Sequence, residues 1–124
     1  MIIGVGVDTV SLSRFEGKLA DTPRLKDRLF LDAETHTDGA EASVQTLAGR
    51  FAAKEAVIKA LSGEPGIEWH GIEVGKESTG KPVIWLHGKT AELALRQGVR
   101  KLHVSITHDG DVAVAFVVAE GELT

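Results

Sequence analysis

Two carboxylates and one lysine are the side chains of this sequence whose types and positions best suit chemistry. Asp8 ends the apolar, glycine-rich segment 2–8, and Glu55 lies four residues before Lys59 in a helix-forming segment. By spacing alone, Glu55 and Lys59 form a solvated ion pair worth about 0.3–0.5 kcal/mol, and Asp8 caps the following helix together with Ser11. Glu55 also borders the apolar stripe of its helix, where a carboxylate needs a cationic side chain or a metal ion as partner.

A metal site is the functional alternative for the same two carboxylates. Asp8 and Glu55 together would offer two hard oxygen ligands. This pair suits Mg²⁺, because the ion takes one or two carboxylates and fills the rest of its shell with water and substrate phosphate. Functional residues also favour strand ends and the loops beyond them. We therefore expect Asp8 and Glu55 to meet in the folded chain and to bind Mg²⁺.

The element that must present Glu55 is a helix predicted over 43–61. Ser43 can cap its start, and Ser62 with Gly63 can end it. Alanines recur along the helix at 48, 52, 56 and 60. This ladder of small side chains predicts that another element, or a ligand, approaches the helix closely.

The remaining elements define an α+β fold in a single domain over 1–124. Alternating or β-branched segments predict strands, apolar repeats predict shorter helices, and the polar residues 32–42 predict a loop or a helix start. Strands are expected at 2–8, 67–75, 83–86, 101–107 and 112–119, and shorter helices at 12–19, 24–31 and 89–98. The architecture is then a mainly antiparallel sheet packed with one long helix and shorter helices.

The last predicted strand, 112–119, is apolar almost without interruption. Such a strand is expected to be covered on both faces. In so small a domain, the second cover is expected to be another subunit.

Composition and charge exclude several classes of protein. The chain has 14 basic residues against 18 acidic ones, a net charge of −4, and only 5% aromatic residues, which argues against a nucleic-acid partner. No apolar run approaches the roughly 20 residues of a membrane span. Cysteine is absent, so no disulfide or thiolate site is possible. The N-terminus lacks the pattern of a secretory signal, and we expect a cytoplasmic protein.

Four short segments carry a resemblance to a known enzyme family. They are GVD at 6–8, FAAKEAVIKA at 51–60, GKP at 80–82 and HVSITHDGD at 103–111. In this combination the sequence resembles the 4′-phosphopantetheinyl transferases, and among them the small trimeric holo-[acyl-carrier-protein] synthases. The most specific feature is Phe51 followed by Lys54, Glu55 and then Lys59. The resemblance extends from the first predicted strand to the last.

The resemblance implies a reaction and a set of partners. The family transfers 4′-phosphopantetheine from coenzyme A (CoA) to a serine of an acyl carrier protein, releases adenosine 3′,5′-bisphosphate and supports fatty acid biosynthesis. It uses Mg²⁺, and the matching ligands here are Asp8 and Glu55. Its members are homotrimers with each site between two protomers, which agrees with a second cover on strand 112–119.

The same resemblance assigns roles to single residues. The implied catalytic residues are Asp8, Glu55 and Lys59, with Lys59 at the pyrophosphate. The implied CoA-binding residues are Arg50, Lys54, Lys59, Gly63, Lys81 and His108. Of these, Arg50 and His108 would contact the adenosine part and its 3′-phosphate. The acceptor of the serine proton stays open among Glu55, His108, Asp8 and a metal-bound water, and we favour a water held by a carboxylate on the metal.

A basic segment near the N-terminus is the expected docking surface. Residues 14–28 hold five basic side chains against three acidic ones in an acidic protein. Solvated helix faces would explain them, but the resemblance implies docking of the acidic carrier protein, at Arg14 first and then at Arg24 and Arg28. Because Arg14 is distant in sequence from the phosphate-handling helix, we expect it to act on the carrier protein and not on CoA.

Two other classes of function compete with the enzyme. A non-catalytic CoA-binding module would use the same basic residues but would not need both Asp8 and Glu55. A purely structural oligomerisation domain would need neither carboxylate. The presence of both carboxylates favours the enzyme.

Overall fold

Within residues 1–123, the part of the chain that the computed structural model describes, strands form three antiparallel sheets and helices pack around them. The strands are β1 (Ile2–Ser11), β2 (His36–Thr37), β3 (Ala40–Glu41), β4 (Ile72–Lys76), β5 (Pro82–Leu86), β6 (Val99–Asp109) and β7 (Val112–Gly121). The helices are α1 (Leu12–Asp21), α2 (Leu25–Leu29), α3 (Asp32–Thr35), α4 (Val44–Ala60) and α5 (Gly88–Arg96), with a 3₁₀ turn at Trp69–Gly71. The predicted α+β class is confirmed. No described helix has the length and apolar character of a membrane span.

The long helix α4 lies across one face of the main sheet, whose strands run in the order β1-β7-β6. Its alanine ladder is buried, and so are the inward-facing alanines of β7. The backbone of β1 comes so close that a Cβ atom on Gly4 or Gly6 would collide with the carbonyl oxygens of Ala60 and Ala56. Only glycine fits at these two positions. The ladder therefore brings another element close, as predicted.

Helix α4 begins and ends where the sequence predicts. The Ser43 hydroxyl accepts a hydrogen bond from the Thr46 amide at 3.1 Å. At the other end Ser62 and Gly63 have φ of 62° and 60°, and the Gly63 amide donates to the Ile58 carbonyl at 2.8 Å. Left-handed residues that turn their amides back onto the last helical carbonyls are the usual way to end a helix.

Strand β1 is longer than predicted. It continues past Asp8 to Ser11, and Asp8 lies opposite Ala115 of β7 inside the sheet. Ser11 caps α1 by accepting the Arg14 amide at 3.3 Å. The prediction that Asp8 ends the strand and helps cap the helix is therefore wrong. Pairing with β7 satisfies the backbone groups of these additional strand residues.

Two segments agree with their predictions only in part. The predicted strand 67–75 opens with a 3₁₀ turn and becomes extended only at Ile72. The polar segment 32–42 forms α3 and the β2–β3 hairpin. Its turn residues Asp38 and Gly39 have φ of 52° and 81°, as expected for a two-residue type I′ turn.

Strand β7 is covered on one face only. Its inward side chains are buried against α4, whereas Phe116 and Val112 on the other face are 46% and 38% exposed. The neighbouring strand β1 adds Val5 and Val7, which are 54% and 50% exposed. Within the single chain α4 supplies a layer on one side alone, and the expectation that another subunit covers the second face stays a prediction. We call this apolar surface, centred on Val5, Val7 and Phe116, the open sheet face.

Candidate active site

Asp8 and Glu55 line one cavity of about 360 Å³, which we call the carboxylate cavity. Arg14 and Lys18 of α1 also line it, and its apolar wall consists of Phe15, Leu25, Leu29 and Phe51. Asp8 lies on the same face of β1 as Gly6. Gly6 packs against the carbonyl group of Ala56 in α4, and Glu55 directly precedes Ala56. The glycine contact between strand and helix thus brings the two carboxylates together.

One lysine compensates part of the negative charge in this cavity. Lys59 Nζ donates to Asp8 Oδ1 at 3.1 Å and to the Val7 carbonyl at 2.9 Å. The predicted helical pair with Glu55 is not the one formed, because Asp8 lies closer to the ammonium. Burial raises the pKa of the Glu55 carboxyl, the negative charge of Asp8 raises it further, and Lys59 lowers it. Lys59 therefore offsets part of the charge of both carboxylates, and Arg14 and Lys18 add positive charge to the same cavity.

This donor set fits a magnesium ion. Among residues 1–123 no group of three His, Cys, Asp or Glu side chains could hold a metal ion. Two carboxylate oxygens facing a cavity are what Mg²⁺ uses when water and substrate phosphate complete its shell. Asp8 and Glu55 would be its protein ligands.

A second cavity, of about 230 Å³, contains Arg50 and His108, and we call it the Arg50 cavity. Its walls come from β2, from β4 and from the turn after β4, through Thr37, Lys76 and Gly80. His108 Nε2 lies 3.0 Å from the Gln45 carbonyl, its hydrogen-bond acceptor. The ring packs on α4 because Gly49 has no side chain to displace it.

The two cavities lie on different sides of α4. Glu55 and Lys59 follow Arg50 by five and nine residues, which at 3.6 residues per turn rotates them by roughly 140° and 180° around the helix. The residues that line the two cavities do not overlap. Within one chain, the carboxylates and the Arg50–His108 pair are therefore separate.

Comparisons with known proteins identify the family. A sequence profile of the 4′-phosphopantetheinyl transferase superfamily matches residues 4–117. The chain belongs to this superfamily. The transferase is 47% identical over 120 residues to the holo-[acyl-carrier-protein] synthase of Leifsonia xyli subsp. xyli, and the match covers 97% of this chain and 98% of that protein.

Solved structures agree with this assignment. The holo-[acyl-carrier-protein] synthase of Neisseria meningitidis superimposes with a TM-score of 0.86 at 32% identity, covering 97% of this chain and 99% of that one. The ACPS–CoA complex of Chronobacterium ammoniagenes superimposes with a TM-score of 0.84 at 31% identity, covering 97% and 98%. Both the fold and the class of enzyme are therefore those predicted from the sequence.

The structure of the transferase contradicts the prediction that Lys54 binds CoA. Its side chain is fully buried, and its ammonium contacts the Glu34 carboxylate at 2.7 Å and the carbonyls of Trp69 and Ile72 at 2.9 and 2.6 Å. Burial lowers the pKa of Lys54, and Glu34 raises it in part. No donor of this ammonium is free for a ligand, so Lys54 acts inside the core.

Two further predicted CoA-binding residues lie outside both cavities. Gly63 is exposed beyond the end of α4. Lys81 is exposed in the turn between β4 and β5, and its neighbours Gly80 and Pro82 line the Arg50 cavity. The geometry of one chain thus brings Lys81 to the edge of a cavity and leaves Gly63 away from both.

The predicted docking residues surround the carboxylate cavity. Arg14 lines it, so its distance in sequence from α4 is not a distance in space, and that argument for its role was wrong. Arg24 and Arg28 are exposed, one directly before α2 and the other in its last turn, and the leucines of this helix form part of the cavity wall. Sequence reasoning did not single out Lys18, although its i,i+4 spacing from Arg14 on a helix was the available signal.

A turn residue that the sequence did not indicate holds the start of α1. The Asp111 carboxylate accepts hydrogen bonds from the Ser11 and Ser13 hydroxyls at 2.9 and 2.7 Å and from the Ser13 amide at 3.0 Å. These bonds lower the pKa of Asp111. The β6–β7 turn thereby fixes the helix that carries Arg14. No local pattern could have revealed this contact, because it joins the two ends of the chain.

Proposed function

We propose that this transferase moves 4′-phosphopantetheine from CoA to a serine of apo acyl carrier protein and releases adenosine 3′,5′-bisphosphate. The observation that carries the proposal is the carboxylate cavity, where Asp8 and Glu55 lie with Lys59 Nζ on Asp8. Its relatives named holo-[acyl-carrier-protein] synthase, and the CoA complex of one of them, support the same reaction. We further propose a role in fatty acid biosynthesis and a cytoplasmic location.

The chain's own residues would act on the pyrophosphate in two ways. Asp8 and Glu55 would hold Mg²⁺, which when bound neutralises charge on the diphosphate of CoA. Lys59 is half exposed while the Val7 carbonyl and Asp8 orient its ammonium at the cavity. A cation at this place offsets the negative charge that accumulates on the departing bisphosphate.

Proton removal from the serine falls to the carboxylate cavity. His108 lies in the Arg50 cavity, which we assign to the nucleotide end of CoA and not to the serine. We propose that a water held by the carboxylate of Asp8 or Glu55 takes the proton.

A homotrimer with its sites between protomers would reunite the separated groups. In this arrangement the carboxylate cavity of one protomer and the Arg50 cavity of its partner would bind the two ends of CoA. The open sheet face supports association, because apolar side chains are 46–54% exposed along two neighbouring strands. The acidic carrier protein would dock against Arg14, Lys18, Arg24 and Arg28, whose charges complement it.

The test is conversion of an apo acyl carrier protein in the presence of CoA and Mg²⁺, followed by intact mass spectrometry. The wild type should add the mass of one phosphopantetheine. Asp8→Ala and Glu55→Ala should stay folded and lose activity about 100-fold or more, the scale of a lost electrostatic contact in a transition state. Glu92→Ala, which removes an exposed carboxylate of α5, is the matched control and should be fully active. CoA binding without any mass gain in the wild type would indicate a CoA-binding module instead.

A further inference from the structure

Glu34 is a fully buried carboxylate in the segment 32–42, for which the sequence predicted only a loop or a helix start. Its Oε1 accepts the Leu31 amide at 2.9 Å and contacts Lys54 Nζ at 2.7 Å. Its Oε2 accepts the Val74 amide at 2.8 Å. Both carboxylate oxygens are therefore bound, and the bonds join α3 to α4 and to β4.

The ammonium group of its partner Lys54 also has all of its hydrogen bonds satisfied inside the protein. Its ammonium has three protons, and its three partners are Glu34, the Trp69 carbonyl and the Ile72 carbonyl. The ion pair therefore anchors the 3₁₀ turn and the first residue of β4 to the middle of α4. Neither side chain has an exposed atom that could bind CoA or the carrier protein.

Stability alone is a weak explanation for a pair of this kind. Taking both charges out of water costs several kcal/mol per ion, and buried pairs can often be replaced by apolar side chains without loss of stability. What the Glu34–Lys54 pair does provide is geometry, because its acceptors and donors lie on four different elements. The question is then which surface depends on that geometry.

The surface held by the pair is the wall of the Arg50 cavity. The Arg50 guanidinium donates to the backbone carbonyl of Glu34 itself. The cavity residue Thr37 follows Glu34 by three positions, and the cavity residues Gly75 and Lys76 directly follow Val74, whose amide Glu34 binds. The walls that Arg50, Thr37 and Val74 to Lys76 form are thus within three residues of an atom that Glu34 binds, whereas the wall from β6 is not.

We propose that Glu34 and Lys54 are positioning residues that set the spacing of the Arg50 cavity for the nucleotide end of CoA. This inference rests on the proposed function. It requires that disturbing the pair weakens the binding of CoA far more than that of the carrier protein. Of the residues that the pair binds directly, Val74 lines the Arg50 cavity and none lines the carboxylate cavity, so turnover at saturation should change much less than the affinity for CoA.

The test variant is Glu34→Gln, which keeps the shape but removes the carboxylate that contacts the Lys54 ammonium and that also stabilises the charge of Arg50. At a temperature where circular dichroism shows a folded protein, its KM for CoA should rise severalfold or more. Its KM for the carrier protein and its kcat should stay within about twofold of the wild type, as for a site with no shared partners. Calorimetry should show the same loss of affinity for CoA alone.

Two further variants separate positioning from stability. Leu93→Ala removes a buried side chain of α5 outside both cavities and should lower Tm without changing the KM for CoA. The double variant Glu34→Gln/Lys54→Gln removes both buried charges of the pair and should regain stability relative to Glu34→Gln. Its KM for CoA should nevertheless stay raised, because glutamine is too short to bind the Trp69 and Ile72 carbonyls as Lys54 does. If Glu34→Gln does not fold, the KM for CoA of the double variant tests the proposal instead.

Three results would overturn the inference alone, with the wild type active: an unchanged KM for CoA in Glu34→Gln, an equal rise in both KM values, or a normal KM for CoA in the double variant. A rise in the KM for CoA in Leu93→Ala as large as that in Glu34→Gln would do the same. A wild type that neither binds CoA nor modifies the carrier protein would overturn the proposed function, and the inference with it.

Discussion

Glu55 is placed to bind a metal ion, and in the metal-free protein its negative charge reduces the stability of the fold. Burial and the charge of Asp8 raise the pKa of its carboxyl above the ordinary value of 4.5. The folded chain therefore holds this proton at pH values where the unfolded chain has already released it. Ionising Glu55 in the folded state costs stability, and this cost is fully present only above the raised pKa.

Replacing Glu55 with glutamine should therefore stabilise the metal-free protein in a pH-dependent way. In EDTA, Glu55→Gln should raise Tm by a few degrees at pH 7 to 8, and the gain should disappear as the pH falls through the raised pKa to about 4.5. Thermal unfolding followed by circular dichroism at several pH values measures this difference.

Adding Mg²⁺ provides the control, because only the wild type keeps both ligands. The ion should raise Tm of the wild type and leave Glu55→Gln nearly unchanged. A Tm difference between the two proteins that is the same at every pH would show that the effect does not come from ionisation of Glu55.

At the scale of elements, the contact between β1 and α4 brings the two carboxylates together. Gly6→Ala should destabilise the protein by about 1–3 kcal/mol or more, because the new methyl group meets the Ala56 carbonyl and forces the strand away from the helix. Urea denaturation measures the change in free energy of unfolding. Asp8 is two residues further along the strand, so Mg²⁺ binding should weaken as well.

The matched control for this substitution is Gly17→Ala in α1. A Cβ atom at Gly17 meets nothing within 4 Å, and alanine is favoured over glycine in a helix by about 0.5–1 kcal/mol. This variant should be slightly more stable than the wild type. If Gly6→Ala were equally well tolerated, the close approach of β1 to α4 would not be needed for the fold.

The helix α1 carries the proposed docking charges. Arg14→Glu should raise the KM for the carrier protein severalfold, and the effect should shrink as salt screens charges over about 8–10 Å. Its KM for CoA should rise less, because the nucleotide end is assigned to the Arg50 cavity and Arg14 adjoins only the cavity proposed for the diphosphate. Steady-state kinetics with each substrate varied in turn measures both values.

Arg96→Glu is the control for net charge, since it makes the same change on α5. It should leave the KM for the carrier protein near that of the wild type. An Arg14→Glu enzyme that lost affinity for CoA and kept it for the carrier protein would reverse the assignment of the two surfaces.

For the whole molecule, a site shared between protomers predicts that two inactive variants rescue each other. Asp8→Ala destroys the carboxylate cavity, and His108→Ala disturbs the Arg50 cavity. In co-expressed, randomly mixed trimers, the protomer that supplies the carboxylate cavity is the His108→Ala variant in half of the sites. The neighbour that supplies the Arg50 cavity is independently the Asp8→Ala variant in half of the sites, so about one site in four is intact in both parts. About a quarter of wild-type activity should then return.

Phe116→Glu provides the control for this experiment. It places a charge on the open sheet face, so with it in both chains the protomers should not associate and the rescue should vanish. Light scattering should show smaller particles or aggregates. Leu95→Glu, an exposed side chain of α5 that is 58% accessible, should not affect assembly. Rescue that persisted in monomers would place the complete site in one chain.

Local features of the chain could be predicted because they depend on neighbouring residues. Spacing along the helix predicts the caps of α4, its alanine ladder and which of its faces is apolar. The same spacing places Glu55 at the edge of the apolar stripe. The convergence of Asp8 with Glu55 was also accessible, since glycines on a strand and alanines on a helix both permit close packing.

Tertiary structure alone decided which partner each charged residue has. Lys54 and Glu55 are adjacent, yet Lys54 lies in the core with Glu34 and Glu55 faces a cavity with Asp8. Lys59 forms its ion pair with Asp8 because β1 approaches α4. The ion pair with Glu55 that the helical spacing predicts does not form. Whether an ionic side chain is buried or exposed depends on residues far away in sequence, because burial requires a counter-charge that only the folded chain brings within about 3–4 Å.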